Sequence, residues 1–155
     1  MESKKILVYG YGNPGRQDDG LGPALAEKID GLNIPGVVTD SNYQLNVEDA
    51  LEITESKAVF FADASVDCEE PFVFKEVLPS NLIRFTTHAI SPDSLMALCN
   101  ELYGVNVPAY ILAIRGYSWE FNRQITDKAE NNMQKAFAFL AERLTETQTG
   151  GCYGE

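Results

Sequence analysis

Residues 6–22, ILVYGYGNPGRQDDGLG, carry the most information about the fold of this 155-residue chain. The segment opens with a short apolar run bounded by glycines, which is typical of a buried strand. The glycines that follow allow the backbone to turn where other residues are disfavoured. Asp18 and Asp19 then precede a helical pattern. We therefore predict a strand, a sharp turn and a helix, the unit at which open α/β sheets place their ligands.

Apolar segments alternate with helical patterns along the rest of the chain. Strands are predicted near residues 36–40, 58–62, 72–77 and 109–114, and helices over 23–29, 46–53, 92–103 and from 126 onward. The pattern predicts a single α/β domain of the phosphorylase/hydrolase-like type, with a twisted, mostly parallel sheet of about five strands and helices on both faces. This domain is predicted to span residues 1–145, with a flexible tail over 146–155.

The charge of the chain argues against several classes of partner. Its 12 basic and 23 acidic residues give a net charge of −11, which repels nucleic acid and anionic membranes. No apolar run approaches the ~20 residues that cross a bilayer, and no signal-peptide pattern is present. The three cysteines, Cys68, Cys99 and Cys152, fit neither a metal-ligand spacing nor a disulfide framework, and Cys99 is expected in a helix core. We expect a cytoplasmic protein that is a monomer when free, without nucleic-acid or membrane partners.

Three side chains with metal-binding chemistry follow strand ends or precede helices. They are Asp19, Asp63 and His88. Because parallel strands end at one edge of the sheet, these residues can converge. Two carboxylates and an imidazole would suit a divalent transition metal with an open position. Each also has a structural alternative, since Asp19 could cap a helix, Asp63 could form a turn and His88 could be a buried structural residue.

Other reaction classes find less support in the sequence. The glycine loop resembles a phosphate-binding loop, but Asp18 and Asp19 stand where backbone donors would meet the anion. No Gly-x-Ser-x-Gly elbow is present, and a single histidine would have to serve any serine or cysteine nucleophile. The GNPG run at residues 12–15 resembles the start of peptidyl-tRNA hydrolases, but the catalytic histidine of those enzymes is missing from this region. Metal-assisted chemistry is therefore favoured.

Taken together, these motifs resemble the hydrogenase maturation endopeptidases, which trim the C-terminus of the large subunit of nickel–iron hydrogenases. The resemblance rests on GYGN at 10–13, DDGLG at 18–22, FADA at 61–64, TH at 87–88 ahead of a Ser-Pro helix start, and RGY at 115–117. It extends over nearly the whole predicted domain.

This resemblance implies a site and a substrate. Asp19, Asp63 and His88 fall on the catalytic and metal-recognising positions, with Asp18 as a less suitable neighbour of Asp19. The metal is nickel already inserted in the hydrogenase precursor, and no organic cofactor is implied. The alternatives are a peptidyl-tRNA hydrolase-like enzyme and a non-catalytic metal-binding maturation chaperone. The aromatic segment 117–121 would either contact the precursor or pack over the sheet edge.

Overall fold

The computed structural model describes residues 4–83, 85–86 and 89–146 of the chain. Within these ranges the strands are β1 (Lys5–Tyr11), β2 (Val37–Asn42), β3 (Ser56–Ser65), β4 (Phe72–Glu76), β5 (Phe85–Thr86), β6 (Ala89–Ile90) and β7 (Ala109–Arg115). The main sheet has the order β2-β1-β3-β7-β4. Its first four members run parallel, whereas β4 is antiparallel to β7 at the edge. The predicted five-stranded, mostly parallel sheet is confirmed, as is the edge position of the mixed run.

Helices cover both faces of this sheet, as predicted. They are α1 (Leu21–Asp30), α2 (Ala50–Thr54), α3 (Pro92–Tyr103) and α4 (Asp127–Glu146). Side chains alternate between the two faces along a strand, so that Ile6 and Val8 enter the core under α1 and α4. Leu7 and Tyr9 enter the core under α2 and α3. Burial on both sides explains why the central strands are apolar throughout.

The helices begin and end close to the predicted positions. Pro92 is the first residue of α3, and Gly104 follows its end in the left-handed conformation, with φ of 67°. In α4 the stripe formed by Ala129, Met133 and Leu140 is buried against the sheet. Cys99 is fully buried on α3, which confirms its expected place in a helix core. The pattern of apolar residues is therefore enough to locate each helix face.

The predicted division into a domain over 1–145 and a tail over 146–155 stays a prediction. Helix α4 continues to Glu146, and the remaining tail, 147–155, lies outside the described residues. In the described part of the chain, no helix combines the length and the apolar character needed to cross a membrane.

Candidate active site at the carboxyl edge of the sheet

The turn after β1 brings the start of α1 against the ends of two strands. Gly12 has a φ of +141° and donates its N–H to the Asn42 carbonyl at 3.0 Å, which joins the ends of β1 and β2. A 3-10 turn over Gln17–Gly20 then leads into α1. A Cβ atom on Gly22 would lie only 2.4 Å from the Ala62 carbonyl oxygen. The helix start can therefore pack on the end of β3 only because a side chain is missing there.

Asp19 is held at this edge by the loop that carries it. Its Oδ2 atom accepts the Asn13 N–H at 2.8 Å, and its own N–H donates to the Arg16 carbonyl at 3.1 Å. The side chain is half-buried. A carboxylate bound by a backbone N–H keeps one orientation, which is a requirement for a site residue.

Asp63, near the end of β3, is close enough to Asp19 for their charges to interact. It follows Val59 and Phe61 on the face of the sheet that α2 and α3 cover. Burial raises the pKa of Asp63 from 3.8 to about 7, and the negative charge of Asp19 adds to this rise. Hydrogen bonds from the Tyr11 phenol and the Ala64 N–H oppose it. The pKa of Tyr11 is raised in turn, by its own burial and then by Asp63. The structure therefore brings two of the predicted site residues together.

The raised pKa of Asp63 predicts a pH-dependent stability. The unfolded chain loses this proton near pH 4, whereas the folded, metal-free protein retains it up to about pH 7. Because the folded state then binds more protons than the unfolded state, the free energy of unfolding falls as pH rises from about 4 to about 7 and then levels off. We expect the decrease to be smaller in Asp63→Asn than in wild type, as measured by urea denaturation at about pH 5 and about pH 8; the part that remains comes from groups such as Glu52, whose pKa burial also raises to about 7. Asp67→Asn, at an exposed carboxylate of the same edge, is the control. Equal pH dependence of wild type and Asp63→Asn would contradict the expectation.

His88 lies outside the described residues, and its role remains a prediction. Of the two residues after it, Ala89 forms a β-bridge with Asn46. The Ile90 N–H donates to the Leu45 carbonyl at 3.2 Å, and Ile90 packs in the core under α2 and α3. Ile90 is thus on the same face of the sheet as Asp63. Among the residues that the structure describes, no three metal-binding side chains form a group.

Sequence comparison adds nothing to this geometry, since no family model and no curated protein matches the chain. Comparison with solved structures does find similar proteins. The chain is similar to the [NiFe] hydrogenase maturation protease HycI of Thermococcus kodakarensis KOD1, with a TM-score of 0.71 and 20% identity over 92% of this chain and 93% of that chain. It is also similar to the hydrogenase maturating endopeptidase HybD of E. coli, with a TM-score of 0.73 and 16% identity over 92% and 93%. The fold is that of the hydrogenase maturation proteases.

A third neighbour supports the same fold. The endopeptidase HycI of Escherichia coli superimposes with a TM-score of 0.66 and 20% identity over 89% of this chain and 90% of that chain. The maturation-protease fold thus extends over about nine-tenths of this chain. At these identities the similarity is one of fold, and the chemistry has to be argued from the residues of this chain.

Within this maturation-protease fold, the two adjacent aspartates have separate roles. Asp18 has no exposed surface, and its carboxylate accepts hydrogen bonds from Tyr117, Ser118 and Thr126. Asp19 is the half-buried member of the pair, and its charge interacts with that of Asp63. The preference for Asp19 over Asp18 at the candidate site is therefore supported by their surroundings, since Asp18 is occupied inside the protein.

The aromatic segment 117–121 was predicted either to contact the precursor or to pack over the sheet edge, and its residues differ in this respect. The Tyr117 hydroxyl accepts the Asn132 Nδ2–H at 2.9 Å, which packs this residue on α4. Trp119 packs against the Gly116 backbone. Phe121 remains 69% exposed, with the Arg16 guanidinium 5.7 Å from its ring centroid. The segment mainly packs at the sheet edge and presents one aromatic side chain to solvent.

The residues that support the site were not apparent from the sequence. Asn13 holds Asp19, Tyr11 contacts Asp63 and Thr126 binds Asp18. Asn13 and Tyr11 lie within the motif at residues 10–13, so this motif could have indicated that they support the site. Thr126 precedes α4 like many helix caps, and nothing in the sequence connects it with Asp18.

Proposed function

We propose that this protein is a nickel-dependent endopeptidase that removes the C-terminal peptide of a [NiFe] hydrogenase large-subunit precursor. The observation that carries the proposal is the pairing of Asp19 with Asp63 at the carboxyl edge of a maturation-protease fold. We place the reaction in the cytoplasm and treat the free enzyme as a monomer. Its charge of −11 favours a protein substrate over nucleic acid or an anionic membrane.

The two carboxylates supply the chemistry that such a substrate needs. Carboxylate oxygens from Asp19 and Asp63, with an imidazole nitrogen from His88, form a mixed donor set suited to a divalent transition metal. In the proposed reaction the metal belongs to the substrate, since nickel arrives already bound by the precursor. The three side chains would complete its coordination and thereby hold the adjacent peptide segment in one position. Nickel would thus serve to align the scissile bond.

Asp63 is also suited to proton transfer. A general base works best when its pKa lies near the working pH, and burial raises the pKa of Asp63 to about 7. Its carboxylate could accept a proton from the attacking water and return it to the leaving amine. Asp19, held by the Asn13 N–H, would present its carboxylate to the metal in a fixed orientation. Both acids would therefore take part in metal recognition, and Asp63 would in addition transfer the proton.

The proposal is tested by mass spectrometry of nickel-loaded and nickel-free precursor incubated with the enzyme. We expect cleavage only of the nickel-loaded form. Asp19→Ala, Asp63→Ala and His88→Ala should each lower its rate by roughly 100-fold or more, because metal-assisted alignment is worth several kcal/mol. Asp67→Ala, which removes an exposed carboxylate from the same edge, should cleave like wild type. Wild-type rates in all three site variants would rule the assignment out.

The same incubation separates the alternatives. Stable binding of nickel-loaded precursor without cleavage would instead indicate a metal-binding maturation chaperone. Salt-sensitive RNA binding without precursor processing would indicate a peptidyl-tRNA hydrolase-like enzyme. Cleavage of nickel-free precursor would contradict the role of nickel while retaining the protease.

A further inference from the structure

Asp18 is a buried carboxylate that the proposed reaction does not use. Its Oδ2 atom accepts the Tyr117 N–H at 2.7 Å, the Ser118 N–H at 3.2 Å and the Thr126 hydroxyl at 2.8 Å. Its Oδ1 atom accepts the Thr126 N–H at 2.8 Å. Burying a carboxylate is costly unless its oxygens are hydrogen-bonded, and here both oxygens are. Such an arrangement fixes the position and the rotation of the side chain.

Further hydrogen bonds join the same two stretches of chain, residues 12–20 and 116–126, which we call the loop pair. They run from Asp18 N to Ser118 O at 3.1 Å, from Asn122 N to Gly15 O at 2.9 Å, from Glu120 N to Gln17 Oε1 at 3.2 Å and from Arg16 Nε to Trp119 O at 3.2 Å. Each of the two stretches supplies both donors and acceptors. The loop pair therefore forms one connected unit across the end of the sheet, with Asp18 at its buried centre.

Asp19 is the next residue in this unit. One peptide bond separates it from Asp18, and its carboxylate in turn accepts the Asn13 N–H at 2.8 Å. We propose that Asp18 and Thr126 are positioning residues, which fix the loop pair and thereby set the place of the Asp19 carboxylate at the candidate site. The effect on processing rests on the proposed function, whereas the effect on the position of Asp19 does not.

Two features distinguish positioning from general support of the fold. The hydrogen bonds to Asp18 come from 117–126, a segment that supplies no predicted site residue, and they end one residue before Asp19. On the other side of Asp19, a Cβ atom on Gly12 would lie 2.0 Å from the Asp19 carbonyl oxygen, so the backbone there is closely packed. Asp19 is thus held between Gly12 and the Asp18–Thr126 contact.

The test removes a single hydroxyl from the intact protein. Thr126→Val deletes the hydroxyl hydrogen bond to Asp18 and the contact of this hydroxyl with the Ala129 N–H, and it keeps the bond from the Thr126 N–H to Asp18. Thr126→Ser retains all three. The Asn13 amide, whose N–H binds the Asp19 carboxylate, reports directly on the position of Asp19 in NMR hydrogen exchange. We expect roughly tenfold lower protection of this amide in Thr126→Val, and a kcat for nickel-loaded precursor lower by roughly 10- to 100-fold at similar KM. Thr126→Ser should restore both, and Asp19→Ala should abolish the protection.

Thr54→Val is the matched control. The Thr54 hydroxyl also makes a 2.8 Å hydrogen bond, to the Leu51 carbonyl in α2, away from the loop pair. The same chemical change there should lower stability without changing Asn13 exchange or kcat. The proposal is overturned if Asn13 protection in Thr126→Val matches that in Thr54→Val. If wild-type protein fails to process the precursor, the proposed function falls, and Asn13 exchange still decides the positioning role.

Discussion

Gly12→Val is expected to lower cleavage of nickel-loaded precursor by roughly 100-fold, since displacing a reacting group by about 1 Å can have this effect. A Cβ atom at this position would lie 2.0 Å from the Asp19 carbonyl oxygen, so the segment that holds Asp19 must move. The φ of +141° at Gly12 adds backbone strain on the order of 1–3 kcal/mol for any other residue. Loss of nucleotide affinity plays no part, because Asp18 and Asp19 stand where a phosphate would bind.

Gly104→Val is the control that separates the effect of backbone strain from the effect of displacing Asp19. Gly104 also has a positive φ, of +67°, but a Cβ atom there has no neighbour within 4 Å. We expect this variant to lose stability and to process the precursor at the wild-type rate. Rates should be measured on folded protein, as verified by circular dichroism, and Gly12→Ala offers a milder form of the same clash. Soluble, folded Gly12→Val with undiminished processing would contradict the geometry.

Asp18→Ala is expected to give the largest loss of stability. The change leaves three partly buried backbone N–H groups, those of Tyr117, Ser118 and Thr126, without their acceptor. Each unsatisfied donor costs roughly 1–3 kcal/mol, and water that enters the gap recovers part of this, so we expect a loss of about 4 kcal/mol. In a domain of this size the thermal midpoint should fall by about 10 °C. Urea and thermal denaturation provide the measurement.

Two variants test the cause of this loss. Asp67→Ala removes an exposed carboxylate and should change the free energy of unfolding by no more than about 0.5 kcal/mol. Asp18→Asn keeps the shape of the side chain but places one amide nitrogen toward backbone donors, so it should fall between wild type and Asp18→Ala. A stability of Asp18→Ala within 1 kcal/mol of wild type, on the order of a surface substitution, would show that the buried hydrogen bonds do not contribute as described.

Sequence reasoning predicted the fold because each local pattern agreed with the architecture. The run 58–62 is apolar on both faces, and β3 is indeed central in the sheet. The mixed run 72–77 belongs to the edge strand β4. What local patterns did not determine was the strand order, since β7 inserts between β3 and β4 through contacts made far apart along the chain.

The candidate site was predictable only in part, for a similar reason. Asp63 lies near the end of β3 and Asp19 in the turn between β1 and α1, and parallel strands place their ends together. Local patterns did not determine the direction in which the side chains of the neighbouring residues Asp18 and Asp19 point. Consecutive side chains on a 3-10 turn point about 120° apart, so one of the pair had to turn inward. Which one does so depends on Thr126, 108 residues away.

The loop pair also contains the only tryptophan of the chain, Trp119. Its indole ring is half-buried against the Gly116 backbone, and its carbonyl accepts the Arg16 Nε–H. Tryptophan emission shifts to longer wavelength when the ring becomes exposed to water. Fluorescence excited at wavelengths that tryptophan absorbs and tyrosine does not therefore comes from the segment that adjoins Asp18 and Asp19. The molecule thus carries its own optical reporter of the loop pair, which needs no added label.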